Sequence, residues 1–142
     1  MTTKLSLSRR CLATTTVLLS SVSAAAQIDR DLALKSTLSV SAFRCSFYAR
    51  EVAESKRLFD IGVSAGRSYA ALAIQNRDAL QRVQGKIPGP YLELKTPSPD
   101  FLVGRVYGIV QMEVSKEFAS AKESEDYRRY QSYTEQNCVL LK

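Results

Sequence analysis

Two cysteines, Cys45 and Cys138, lie near opposite ends of this 142-residue chain. If they are joined, the first and last structured segments must meet, and few architectures allow that. The redox compartment decides whether they join, and the first 26 residues bear on the compartment. Lys4, Arg9 and Arg10 open a positive segment, a short apolar run follows from Cys11 to Val22, and Ser23-Ala24-Ala25-Ala26 precedes Gln27. Charge, apolar run and small-residue cleavage site in that order read as a signal peptide over residues 1–26. The run is shorter than the roughly 20 apolar residues a bilayer span needs, so no stable membrane span is expected after cleavage. Cys11 follows two arginines, where a lipobox needs small apolar residues, and it leaves with the leader. Ser8-Arg9-Arg10-Cys11-Leu12 loosely resembles a twin-arginine signal, which leaves both that route and the general secretory route open.

Residues 27–142 then form a single domain of 116 residues, predicted to be periplasmic or secreted. The leader carries three of the 20 Lys and Arg and none of the 14 Asp and Glu, so +3 remains of the formal +6. Acids and bases alternate along what is left, as in Arg50-Glu51 and Lys56-Arg57 before Asp60. A mixed solvated surface explains that pattern, and a nucleic-acid partner, which needs clustered cations, is not expected. In an oxidising compartment the even cysteine pair reads as a Cys45–Cys138 disulfide. It closes a loop of 94 residues, which the chain-entropy account values at about 4–5 kcal/mol before strain is subtracted. Redox catalysis would want C-x-x-C or a thiol at a helix start, and neither is present.

Apolar periodicity is helical almost throughout. Ala42, Cys45, Ala49, Val52 and Phe59 recur at helical steps from about Ser41, with Lys56 as the break in the stripe. Leu58, Ala65, Leu72 and Ala79 recur by sevens, beside Ile61, Tyr69 and Val83, with Asn76 as the polar exception. These stretches form one helix or two, and Gly62 and Gly66 predict a bend or break between them, since each glycine costs about 1 kcal/mol in a helix interior. Gly85, Pro88, Gly89, Pro90, Pro97 and Pro99 make residues 85–100 a linker. Ser98-Pro99-Asp100 reads as a helix start. Phe101, Leu102, Val106, Ile109, Val110, Val114 and Phe118 follow at helical spacing. The last helix should begin near Ser124 or Glu125, with Tyr127, Thr134, Cys138 and Leu141 on one face. The only strict alternation, Tyr91–Lys95, is too short for a strand. An all-α antiparallel bundle of three to four helices, stapled by one disulfide, satisfies the cysteine pair. Gly62-x-x-x-Gly66 and Gly104-x-x-x-Gly108 share helix faces, and at least one pair is expected to mark a close crossing. The competing reading makes them kinks or helix ends.

Chemistry is harder to place. The chain has no histidine, which removes the commonest general base and most zinc sites. No nucleophile elbow, P-loop or dinucleotide fingerprint occurs, so neither catalysis nor a cofactor or metal is expected. Glu123, Glu125 and Asp126 read as a solvated helix junction, without the spacing of a calcium loop. Tyr127, Tyr130 and Tyr133 with Arg128 carry residue types enriched at binding hot spots. They form either a partly exposed ridge or buried phenols with satisfied hydroxyls. Asp100 and Arg105 form either a salt link at a helix start or part of a polar site facing the linker. Together these six residues are the candidate interaction surface.

Phe43-Arg44-Cys45-Ser46-Phe47-Tyr48-Ala49, Arg57-Leu58-Phe59 with Gly62, Pro99-Asp100-Phe101 with Gly104-Arg105, and Asn137-Cys138 resemble a family of small uncharacterised exported bacterial proteins. That resemblance implies a helical, disulfide-linked fold and no known activity. In size and layout the chain is also similar to immunity proteins that block cell-wall amidases delivered by type VI secretion, although no inhibitory motif of theirs is matched. The expected function is binding to another envelope protein, with an immunity or inhibitor role against a cell-wall-degrading effector as one form of it. A small-ligand carrier with a cavity inside the bundle is the alternative.

Overall fold

A computed structural model describes residues 14–92 and 98–142, with side chains from residue 24 onward. Most of the predicted leader and the middle of the predicted linker therefore lie outside the described residues. Among the described residues five α-helices and three short 3₁₀ turns occur, and no strand. The helices are α1 (Thr14–Tyr48), α2 (Val52–Gln75), α3 (Arg77–Val83), α4 (Pro99–Ser120) and α5 (Glu125–Glu135). The chain is all-helical, its helices pack on one another, and Cys45 and Cys138 are disulfide-bonded with Cα atoms 5.5 Å apart. α3 makes the set five rather than three or four. It continues the line of α2 after a break at Asn76, whose amide donates to the Leu72 carbonyl at 2.9 Å.

α1 begins well before Ser41 and runs unbroken through Ala26 and Gln27. Its buried stripe is Leu32, Ser36, Ser39, Ala42, Phe43 and Ser46. The three serines cost little there because each hydroxyl has a partner: Leu32 O for Ser36, Gly62 O for Ser39 and Phe43 O for Ser46.

The predicted break at Gly62–Gly66 is not observed. α2 passes straight through both glycines, and the chain turns instead at Ala49–Glu51. That turn contains no glycine, proline or side-chain cap of its own. The carbonyls at the end of α1 are satisfied from a distance: Ser55 Oγ donates to Ser46 O at 2.7 Å, and the Arg129 guanidinium donates to Phe47 O. The turn also shifts the phase of the apolar stripe. Val52, expected on the buried face, is 86% exposed.

The glycine pair in α2 marks a close crossing. A Cβ on Gly62 would lie 2.6 Å from the Phe43 ring, and one on Gly66 would lie 2.9 Å from Val103 and also strike the Tyr91 hydroxyl. α1 and α4 thus approach α2 at its smallest residues. Gly104 and Gly108 differ, since a Cβ on either meets nothing within 4 Å.

Tyr91 fills the centre of the bundle from the second 3₁₀ turn, Gly89–Tyr91. Its hydroxyl shares a hydrogen bond of 2.6 Å with Ser39, its carbonyl accepts from Tyr69, and the two rings lie 4.6 Å apart. Burial pushes both phenols up to about 12. α4 starts as expected, with Ser98 accepting from Phe101 N at 3.2 Å and Pro99 in the first turn. Leu102, Val103, Val106, Val110 and Val114 form its buried face, and Phe101 lies outside it. α5 is capped by Ser124, which accepts from Tyr127 N. It stops at Glu135, so Cys138 belongs to the following 3₁₀ turn rather than to the face of α5. Asn137, at φ 52° and ψ 40°, turns the chain so that Cys138 reaches Cys45. Asn tolerates this left-handed conformation better than most residues.

Candidate functional site

The turn between α1 and α2, the first turns of α2, the middle of α5 and the last 3₁₀ turn converge at one end of the bundle. They enclose an open cleft of about 550 Å³. Tyr48 and Glu54 form its floor, and Tyr130, Tyr133, Arg50 and Val139 form its walls. The disulfide lies beneath it, since Cys138 immediately precedes Val139 and both cysteines are fully buried. This wall is therefore covalently tied to α1.

The floor is rigid and polar. Arg57 grips Glu54 with two bonds of 2.7 Å, and the Tyr133 hydroxyl adds a third at 2.7 Å. The Arg57 guanidinium, with help from Tyr133, holds the Glu54 carboxyl down at about 2. Burial and the facing carboxylate push Tyr133 up to about 12. Tyr48 is likewise raised to about 12, by burial and by its bond to Glu117 at 2.9 Å. The floor thus presents one fixed negative charge, one fixed positive charge and neutral phenols across the physiological range. None of these groups is poised to exchange a proton near neutrality, as a general acid or base must be.

The rim is apolar and open. Tyr130 is 60% exposed and lies under the Arg50 guanidinium at 5.9 Å. Val139 is 70% exposed, and Val52, Tyr127 and Leu140 are also exposed large side chains.

Of the six residues singled out from the sequence, Tyr130 and Tyr133 meet in this cleft. Tyr127 is exposed one turn earlier on α5. Arg128 turns toward Gln131 and Glu117, at 3.4 and 3.5 Å. Asp100 pairs with Arg67 of α2 at 2.6 Å, and Arg105 sits half-buried nearby on α4. These two lie near the start of α4, whereas Glu117 lies near its end, about 25 Å along the axis. The six therefore divide between two ends of the molecule. Sequence reasoning missed Tyr48, Arg50, Glu54, Arg57 and Val139. No local pattern marks them, because they come from four elements joined only by the turn at Ala49–Glu51. The acidic run is dispersed too: Glu125 pairs with Arg129 at 2.7 Å, and Asp126 lends its carbonyl to Arg50. Among the described residues no group of three metal-ligating side chains occurs, and no helix is long and apolar enough to cross a membrane.

The chain matches no family model, no curated protein and no solved structure.

Proposed function

We propose that this is an exported, periplasmic or secreted, binding protein without catalytic activity, and that it grips another envelope protein through the cleft beside the disulfide. The observation that supports this reading most is the contrast between the rim and floor of the cleft. Exposed Tyr130, Val139 and Val52 surround a floor immobilised by the Glu54–Arg57–Tyr133 bonds. Aromatic and apolar anchors on a rigid base are what a protein hot spot needs, because little conformational entropy is lost on docking. The charges at the cleft, Arg50 and Arg57 with Glu51 and Glu54, are balanced in sign. That balance fits an apolar protrusion of a protein better than a polyanion. Inhibition of a cell-wall-degrading effector is one form of this role, in keeping with the similarity in layout to immunity proteins. A small-ligand carrier is the competing reading, because about 550 Å³ falls within the roughly 300–1,000 Å³ range of ligand pockets.

The test compares capture from an envelope extract by the mature protein and by its Tyr130→Ala and Val139→Asp variants. A protein held by the parent and by an exposed-site control such as Leu34→Ser, but lost by both cleft variants, is the expected result. A copurifying small molecule seen by native mass spectrometry, with no such protein, would overturn the reading in favour of the carrier. Recovery of the chain in the cytosol with Cys45 and Cys138 as free thiols would overturn it altogether.

A further inference from the structure

α4 turns one face inward, through Leu102, Val103, Val106, Val110 and Val114. Each residue advances about 100° around the axis, so the opposite face runs through Phe101, Gly104, Gly108, Met112, Ser115 and Ala119. Phe101 and Met112 are 55% and 57% exposed. Gly104 and Gly108 face open space. In the single chain these glycines do nothing for packing, yet each weakens the helix by about 1 kcal/mol relative to alanine. A surface that exposes two large apolar side chains and two costly notches gains from a neighbour that fills the notches.

We infer that the neighbour is a second copy of this chain, its α4 lying antiparallel on this one about a twofold axis at Gly108. The sequence of α4 is self-complementary in that register. Positions that face each other across the axis have numbers summing to twice 108. Met112 of one copy meets Gly104 of the other, a bulky side chain opposite a notch. Phe101 meets Ser115, again large against small. Asp100 meets Lys116, so two ion pairs flank the centre, and Arg105 meets Gln111 without like-charge repulsion. The antiparallel arrangement also sets the positive end of each helix beside the negative end of its neighbour. A parallel pairing would put Phe101 against Phe101 and Lys116 against Lys116. A twofold contact of this kind is closed, so it stops at a dimer. The face is about 33 Å long and 10 Å wide, which offers roughly 300–400 Å² per copy. Standard interfaces bury about 800 Å² per partner, so this dimer belongs to the weak, concentration-dependent class.

Sedimentation of the mature protein from about 10 µM to 1 mM should show a reversible monomer–dimer equilibrium. Gly108→Glu puts two like charges on the axis while its Cβ enters empty space, so the fold is retained and the dimer constant should weaken at least tenfold. Lys116→Glu, far from the core, should weaken it less, and added salt should weaken the parent dimer but not this variant. Gly108→Cys should cross-link to a covalent dimer in mild oxidant. A parent that stays monomeric at 1 mM, or a dimer indifferent to both Gly108→Glu and Lys116→Glu, overturns the inference. The cleft lies on other elements, so capture by the cleft can fail while dimerisation holds, and the reverse.

Discussion

Glu54 accepts two bonds from Arg57 and one from Tyr133, and these partners set its titration. Its folded value of about 2 lies below the ordinary 4.5. The stability it contributes is therefore fully present above about pH 4.5 and disappears as pH falls toward 2. The Glu54→Gln variant should lose up to about 1 kcal/mol at pH 7, the range of a partly exposed ion pair, and nothing near pH 2. Urea midpoints of parent and variant at pH 7, 4 and 2.5 check this, and parallel curves across that range would refute it. At this scale the sequence was legible in part. Ser98 and Ser124 announce their caps because the bonded N–H lies three residues on. The Glu54–Tyr133 bond spans 79 residues, and no local pattern encodes such a pairing.

Helix by helix, the apolar spacing gave the type of every element but not every boundary. α4 and α5 begin where the capping serines place them. The long α1 and the turn after it were misjudged, because glycines were read as breakers and a segment without breakers was read as continuous. Gly62 and Gly66 stay helical since the adjacent Phe43, Tyr91 and Val103 need their missing side chains. Packing outweighs their propensity cost of about 1 kcal/mol each. The two glycine pairs should respond oppositely to substitution. Gly66→Val should cost about 1–3 kcal/mol by overpacking, whereas Gly104→Ala should stabilise the monomer by up to about 1 kcal/mol. Thermal melts at low micromolar concentration decide it, and equal shifts at the two sites would contradict this account.

Across the molecule, the disulfide joins α1 to the turn after α5 and so closes the bundle over most of its length. Replacing Cys45 and Cys138 together by alanine should cost about 2–5 kcal/mol, seen as a lower melting temperature with helical circular dichroism retained at low temperature. The cleft should loosen with it, because Val139 follows Cys138 directly. An unchanged melting temperature would mean that the bundle holds its ends together without the bridge. That the chain is helical, and that its two remaining cysteines suit an oxidising compartment, could be read from residue order alone, since periodicity, serine caps and cysteine count are local or compositional properties. The turn at Ala49–Glu51, the left-handed Asn137 and the cleft between them emerged only when distant segments met. The groups that cap the end of α1, Ser55 and Arg129, lie 9 and 82 residues from the carbonyls they satisfy, so that helix end is a property of the folded chain and not of its neighbouring residues.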